Sequence, residues 1–496
     1  MDTIPILRDT KSSLVNSGGD PIVTDVVVVG LGPAGIIAAA VLADGGLSVT
    51  AIQADARDHL RAPLVSPPPT LRSTAVEEAI AQATAQAGLD GVGGSKRLAA
   101  PQAYRLDAWS LRTRSATLSR YGALPSDADL TDWPIELEEL ARWYDVVEHA
   151  TAVGPRPATV WTERMNRAAA TLGWSPFPAP AAAQTDASFL LDGRGVHIVR
   201  ASVTEILRGS TGEVTGVVLV DADGSQRSLN CGVVVVAASV IPTVRLLLLS
   251  GITGADVVGR WFMSHNAFVV HGDFDGQDLG RRHAGPATAV AVDAFEGDRF
   301  DHTGVGFLGG SILQAAMTGT WPPERLADAA VGLGVEATRG ADALDWVRAH
   351  QASIGTVWAQ PDQLPRRQNA IDLDPTHRDV TGRPVARVTF SLAPDDVRRW
   401  EFLAARMTEW LDAAGARCTW MPPLAPQPLG THLYGGVRMG IDPRTSAVDS
   451  YGRFHDVPGL VVVGSSTFPT TGGRGPLETI EALTWRNADH LAAELR

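Results

Sequence analysis

Cysteine is nearly absent from this chain: Cys231 and Cys418 are the only two in 496 residues, and they are far apart. A disulfide framework, an Fe–S cluster and a CxxCH haem attachment each need more thiols or closer ones, so all three are excluded. Both residues read as small buried hydrophobes. Long apolar runs are missing as well. The stretch 26–29 is far too short to span a bilayer, and no other segment is long and apolar enough. The opening MDTIPILRDTK has no basic region followed by an apolar core, so no secretory signal is read and a cytoplasmic location is expected. Basic charge is in deficit, 42 Lys and Arg against 55 Asp and Glu, a formal net charge of −13. Such a surface repels phosphate backbones and anionic lipid, which argues against nucleic acid and membrane as partners.

What remains is an ordinary globular composition, 45% hydrophobic and 20% charged, with enough chain for two substantial cores. Residues 1–19 read as a loose polar leader. The run 22–29 is β-branched and apolar on both faces, as a buried parallel strand should be. A glycine turn, an alanine-rich helix to about Asp44 and a second short strand over 47–52 complete one βαβ unit. Residues 60–130 show weak periodicity. Helices are expected over 134–150, 394–414 and 476–495, the last with proline in its first turn. Further buried strands are expected over 233–238 and 460–463. Strands of one kind near the start, middle and end imply a nucleotide-binding unit assembled from separated segments, with a second unit inserted between them. The fold class is therefore α/β, α+β overall.

Gly30-Leu-Gly32-Pro-Ala-Gly35 lies between the first strand and its helix. Gly30 permits the tight turn, Gly32 lets backbone approach a pyrophosphate, and Gly35 lets helix and strand pack closely. The helix N-terminus then offers free N–H groups and the positive end of its dipole. A lone GxGxxG is weak, but here the strand before it and the helix after it are present. The second strand ends in Ala51-Ile52-Gln53-Ala54-Asp55. Gln53 stands where a carboxylate usually accepts a ribose hydroxyl. Its amide oxygen can accept that bond without the charge, and Asp55 is the alternative acceptor.

The C-terminal stretch carries His432-Leu-Tyr-Gly435-Gly-Val-Arg438-Met-Gly440, Val448-Asp449, Gly452-Arg453, Leu460-Val-Val-Val-Gly464-Ser-Ser466-Thr-Phe468-Pro469-Thr470 and Pro476-Leu-Glu-Thr479-Ile480. With Trp133-Pro134-Ile135, the 233–251 segment and Leu373-Asp374-Pro375, this resembles the glucose–methanol–choline (GMC) oxidoreductase family across nearly the whole chain. The pattern is nearest to bacterial sugar and polyol dehydrogenases and to pyranose or glycoside oxidases. The resemblance implies a Rossmann-type FAD-binding domain (20–60, 90–100, 195–260 and 428–496) with a substrate domain and covering segments (100–195 and 260–428). It implies cofactor contacts at Gly30, Gly32, Pro33, Ala34, Gly35, Gln53, Gly94, Ser95, Val203, Ala238, Gly464, Ser465, Pro476 and Leu477, and no metal. It implies hydride transfer from a CH–OH carbon of a small molecule to flavin N5, with His432 as base, since neutral imidazole accepts a proton near neutral pH. A fall in rate below a pKa of 6–7 is expected from that assignment. The electron acceptor, whether oxygen, a quinone or another molecule, is left open.

Three departures stand against the resemblance. The family places Asn or His immediately before the proline of the last helix; here that position is Gly475, and Arg474 before it is either a positive group for the site or, the preferred reading, a surface arginine. The segment Gly93-Gly94-Ser95-Lys-Arg-Leu98-Ala99 lacks the flavin-linking His, so FAD is expected to bind without a covalent link. Gln53 is the third. Together they keep open two alternatives, a GMC-derived flavoenzyme acting on a C–N or activated C–H bond of a non-sugar substrate, or a weakened homologue. Tryptophans such as Trp261, Trp321, Trp358 and Trp420 are read as core in preference to a sugar-stacking surface.

Overall fold

Val26–Val29 (β1) is four consecutive valines, every one buried. Valine is stiff at χ1 and suits extended backbone, and burial on both faces demands a layer on each side. The computed structural model supplies both layers; it describes residues 24–54, 70–72, 102–184, 187–280, 289–316, 345, 350, 352–379, 381–421 and 432–496. Four strands join β1: β2 (Val49–Gln53), β3 (His197–Arg200), β4 (Val233–Val236) and β5 (Leu460–Val462). All pairings are parallel, in the order β5-β4-β1-β2-β3. On one face Val26, Val28, Val233, Val235 and Val461 meet the apolar residues of two helices, α1 (Pro33–Asp44) and the last helix Leu477–Leu495. On the other face Val27, Val29, Val234, Val236 and Val462 meet Trp133, Leu140, Tyr144 and Val147. The last three lie on α2 (Leu137–Thr151). Each valine so buried contributes about 1.5–3 kcal/mol before chain entropy is counted.

A second, six-stranded antiparallel sheet runs in the order Cys418–Trp420, Phe268–Asp273, Ile354–Ala359, Leu313–Ala316, Ala289–Val292, Phe177–Pro178. Helices α3 (Val160–Thr171) and α4 (Pro394–Ala413) cover it through Trp161, Met165, Trp400, Leu403, Met407 and Trp410. A Cβ at Gly355 would sit 2.2 Å from the Trp161 ring, so the bare glycine is what lets that indole lie on the sheet. The final helix, α5 (Leu477–Leu495), returns the chain to the parallel sheet.

The α/β class holds, and the structure refines the sequence expectations. α1, α2, α4 and α5 fall within three residues of their expected bounds. Pro476 is the cap of α5, outside its first turn. The weakly periodic 60–130 region contains helices Ala108–Leu111 and Thr113–Tyr121, too short to show amphipathic repeats. Cys231 is buried and its thiol pushed up to about 12 by desolvation, but Cys418, on the edge strand of the second sheet, is only partly buried. Trp261 and Trp420 are buried and Trp358 partly so, while Trp321 lies outside the described residues. The leader 1–19 is likewise outside them.

Candidate active site

The glycine turn is built under tight steric demands. Gly30 has φ +96°, and a Cβ there would lie 3.1 Å from Ala237 O and from the Ala238 nitrogen. A Cβ on Gly35 would lie 1.8 Å from Gly30 O, which no side chain survives. Gly32 is the N-cap of α1, and Pro33 opens the helix. No side chain caps it and its first turn holds no acidic residue, so Ala34 and Gly35 present N–H groups beside an uncompensated positive dipole end. That is the donor set a pyrophosphate requires. Gln53, at the end of β2, accepts from the Leu31 N–H at 2.8 Å through Oε1 and donates to Ala54 O at 3.1 Å. One lone pair of Oε1 thus braces the glycine turn and the second is left for a ribose hydroxyl. Asp55, Gly94 and Ser95 lie outside the described residues. Val203 stands in Ser202–Arg208, opposite Leu219. Gly464, with φ +99°, caps a single 3-10 turn, and Ser465 O accepts from Gly435 N–H at 3.0 Å.

His432 is brought to a second histidine that sequence reading did not find. The short strand Leu433–Tyr434 pairs antiparallel with Met263–Ser264, so the chain ends beside them meet: His265 N–H donates to His432 O at 2.9 Å. The two Nδ1 atoms are 3.4 Å apart, Tyr434 Oη is 2.9 Å from His265 Nδ1, and His265 Nε2 is 2.7 Å from Gly472 O. Gly472 O can only accept, so His265 carries its proton on Nε2 and its Nδ1 is a lone pair. The Tyr434 hydroxyl donates to that lone pair, and His432 Nδ1 lies beside it at 3.4 Å. Desolvation lowers the His432 pKa to about 4, and desolvation together with His432 lowers that of His265 to about 3. The limb expected at pH 6–7 therefore moves down to about 4, because burial penalises the imidazolium. A pair 167 residues apart, joined only across a two-residue ladder, leaves no periodic trace in the sequence.

Arg474 is not a surface arginine. Its guanidinium forms a bidentate pair with the fully buried Glu296 and donates to Arg105 O at 2.6 Å. Burial opposes the Arg474 cation, but the charge and hydrogen bonds of Glu296 outweigh it and hold the arginine more firmly protonated than in water. Burial pushes the Glu296 carboxyl up to about 7 against the pull of Arg474. The pair anchors the 471–475 segment, whose Gly472 O holds His265 and whose Gly473 O accepts from Ile312 N–H at 3.0 Å. Gly475 has open space around it: a Cβ there would meet only Gln360 Oε1, at 3.5 Å. Pro476 and Leu477 then begin α5, with Tyr144 Oη 2.8 Å from Thr479 in its first turn. Arg438 lies 3.4 Å over the Trp261 ring and donates to Thr445 O and Asp129 O, a packing and bracing role. Among the described residues no cluster could hold a metal ion, and no helix is long and apolar enough to cross a membrane.

Comparison with known proteins matches these features. Residues 365–484 match the family model of GMC oxidoreductase. The chain is 25% identical to the gluconate 2-dehydrogenase flavoprotein of Pantoea cypripedii, over 98% of this chain and 96% of that one. It is 27% identical to paromamine 6'-oxidase of Streptomyces fradiae, over 96% and 92%. The pyridoxine 4-oxidase from Mesorbium loti shares the fold at TM-score 0.59 and 15% identity, covering 94% of this chain and 99% of its own. These features, with the match over residues 365–484, make the chain an oxidoreductase similar to GMC oxidoreductases over nearly its whole length.

Proposed function

We propose that this enzyme oxidises a CH–OH group of a sugar, glycoside or polyol, with His432 Nε2 taking the hydroxyl proton. Relatives acting on gluconate, on 2-methyl-1,2-propanediol and on C-glycosides support that substrate class. When bound, FAD supplies the hydride acceptor at N5. The N-terminus of α1 with Gly32, Ala34 and Gly35 would hold its pyrophosphate, and Gln53 a ribose hydroxyl. Ala238 and Gly464–Ser465, at the ends of β4 and β5, border the same edge of the parallel sheet. The N-terminus of α5, opened by Pro476 and Leu477, would face the flavin ring and offer about 0.3–1 kcal/mol to negative charge there. These contacts, drawn from 20–60, 195–260 and 428–496, support the partition of the chain into a discontinuous cofactor domain and a substrate domain. The sequence 93–99 has no histidine, which supports non-covalent FAD.

The observation that carries the reading is the His432–His265–Gly472 chain. Burial favours the neutral His432 imidazole across the physiological range, and its Nδ1 is the nitrogen turned toward His265. A base must be unprotonated before hydride leaves, and a buried neutral imidazole supports that role without a charged partner. The test is anaerobic bleaching of the bound flavin by D-glucose, D-gluconate, a methyl glucoside, glycerol and 2-methyl-1,2-propanediol, with primary amines as controls. Reduction by at least one CH–OH compound is expected. Reduction by amines alone would overturn the assignment.

A further inference from the structure

Three buried amide side chains lie on stretches of chain that contact the 471–475 segment, each with one polar atom that has no partner among the described residues: Asn266 Oδ1, Gln360 Oε1 and Gln363 Nε2. Their frames are fixed. Gln363 donates its backbone N–H to Thr471 Oγ1 at 3.0 Å, and its Oε1 accepts from Ser264 N–H at 2.7 Å. Gln360 follows the strand Ile354–Ala359 and donates its backbone N–H at 2.8 Å to the buried Ser311 Oγ, which itself donates to Ile312 O at 2.7 Å. Asn266 follows His265, whose Nε2 holds Gly472. Leaving a buried acceptor unmade is costly, so one without a partner marks a place where a partner arrives. Gln360 Oε1 is such an atom, closed to solvent and the one atom within 4 Å of a Cβ on Gly475, at an ordinary contact distance of 3.5 Å. The backbone at Gly475 does not demand glycine either, since its φ is not in the left-handed region.

We infer that Gln360 is the substrate-positioning residue of this enzyme, its Oε1 accepting a hydrogen bond from a second hydroxyl of the substrate in the space Gly475 leaves open. This rests on the CH–OH reading of the site and deepens it. A hydroxyl both donates and accepts, which suits the acceptor on Gln360 and the donor on Gln363. A polyol supplies such hydroxyls next to the reacting carbon, and a simple alcohol does not. Gln360 moves no proton in the reaction; it sets which hydroxylated molecule is held and at what angle.

The experiment uses the panel member that bleaches the flavin fastest, together with its monodeoxy analogues. Wild type should discriminate against one analogue by about tenfold in kcat/KM. Gln360→Met keeps length and loses the acceptor; it should raise KM for the parent about tenfold, leave flavin content unchanged, and no longer distinguish parent from that analogue. Gly475→Asn leaves Gln360 intact and puts an amide donor against its Oε1, so it should raise KM in the same way and still bind flavin, which covers the case that Gln360→Met does not fold. Equal KM for the parent in wild type and both variants, or discrimination that persists in them, overturns the role of Gln360 alone. If no CH–OH compound reduces the wild-type flavin, the substrate reading falls and takes this inference with it.

Discussion

Two of the glycine turns, at 30–35 and 472–475, are glycine for different reasons. At 30–35 the backbone leaves no choice: φ is positive at Gly30, and a Cβ on Gly35 would collide with Gly30 O at 1.8 Å. At 472–475 the demand relaxes along the chain. Gly472 has φ +68° and would meet the Leu106 side chain at 2.6 Å; Gly473 would meet Gly310 O at 2.9 Å; Gly475 meets nothing closer than 3.5 Å. The first turn shows what backbone packing imposes. The last glycine of the second is free of that constraint, so its identity answers to whatever occupies the space beside it.

Substitutions at the two turns separate these causes. Gly32→Glu should give the largest effect, a protein that purifies without flavin, because a carboxylate would stand in the path of the pyrophosphate and repel it; a normal flavin-to-protein absorbance ratio would remove the basis of the dinucleotide site. His432→Ala, near the second turn, should keep the flavin and slow its reduction by about 10²–10⁴-fold in stopped flow. A native rate on the best substrate would exclude proton abstraction by this residue.

The pH profile sharpens the same point. With the His432 pKa at about 4, the reductive rate should be level through pH 6–7 and fall only as pH drops through about 4. Stability has its own sign. The unfolded chain protonates both histidines near pH 6.5, while the folded chain resists until about 4 and about 3. Stability from this pair is therefore fully present above pH 6.5 and is lost as pH falls toward 4, by up to about 1.4 kcal/mol per unit for each histidine. Denaturant melts of His265→Phe should show a shallower decline over that window, and an unchanged slope would mean His265 is not buried neutral.

Smaller effects are expected at Gln53 and Gly475. Gln53→Glu keeps the acceptor for Leu31 N–H and adds charge, and should tighten FAD binding by roughly 1 kcal/mol, about fivefold in Kd. Weaker binding would mean that the ribose is held elsewhere. Gly475→Ala should leave both thermal stability and flavin content unchanged, in contrast to Gly35→Ala, which should unfold or empty the cofactor site. Loss of stability in Gly475→Ala would erase the contrast between the turns.

Sequence reading succeeded where neighbours in the chain are neighbours in space. β1, the glycine turn, α1 and β2 are one contiguous unit, and their valines and glycines carry the local physics openly. α2 and α4 announce themselves by apolar spacing around Leu140, Tyr144 and Val147, and around Trp400, Leu403, Met407 and Trp410. The site around His432 was legible only through the motif it sits in. His265, Gln360 and Glu296 come from loops and strand ends of the middle of the chain, and no spacing rule joins them to residues 432–475. Arg474 was misjudged for the same reason: an arginine between two glycines looks solvated until a buried glutamate 178 residues earlier is brought to it.

That arginine has a bearing on how the enzyme comes into being. Its guanidinium ties together Arg105, Glu296 and its own segment, contacts that span 369 and 178 residues. Closing loops of that length costs chain entropy that only a largely assembled protein has already spent. The parallel sheet likewise waits for β5, residues 460–462, to dock against β4. A ribosome-bound or half-folded chain can thus present the glycine turn early, but the 471–475 segment stays unanchored until its last residues arrive. The cofactor contacts proposed at Gly464, Ser465 and the start of α5 lie in the same late-made stretch, so the cofactor site and the 471–475 segment mature together.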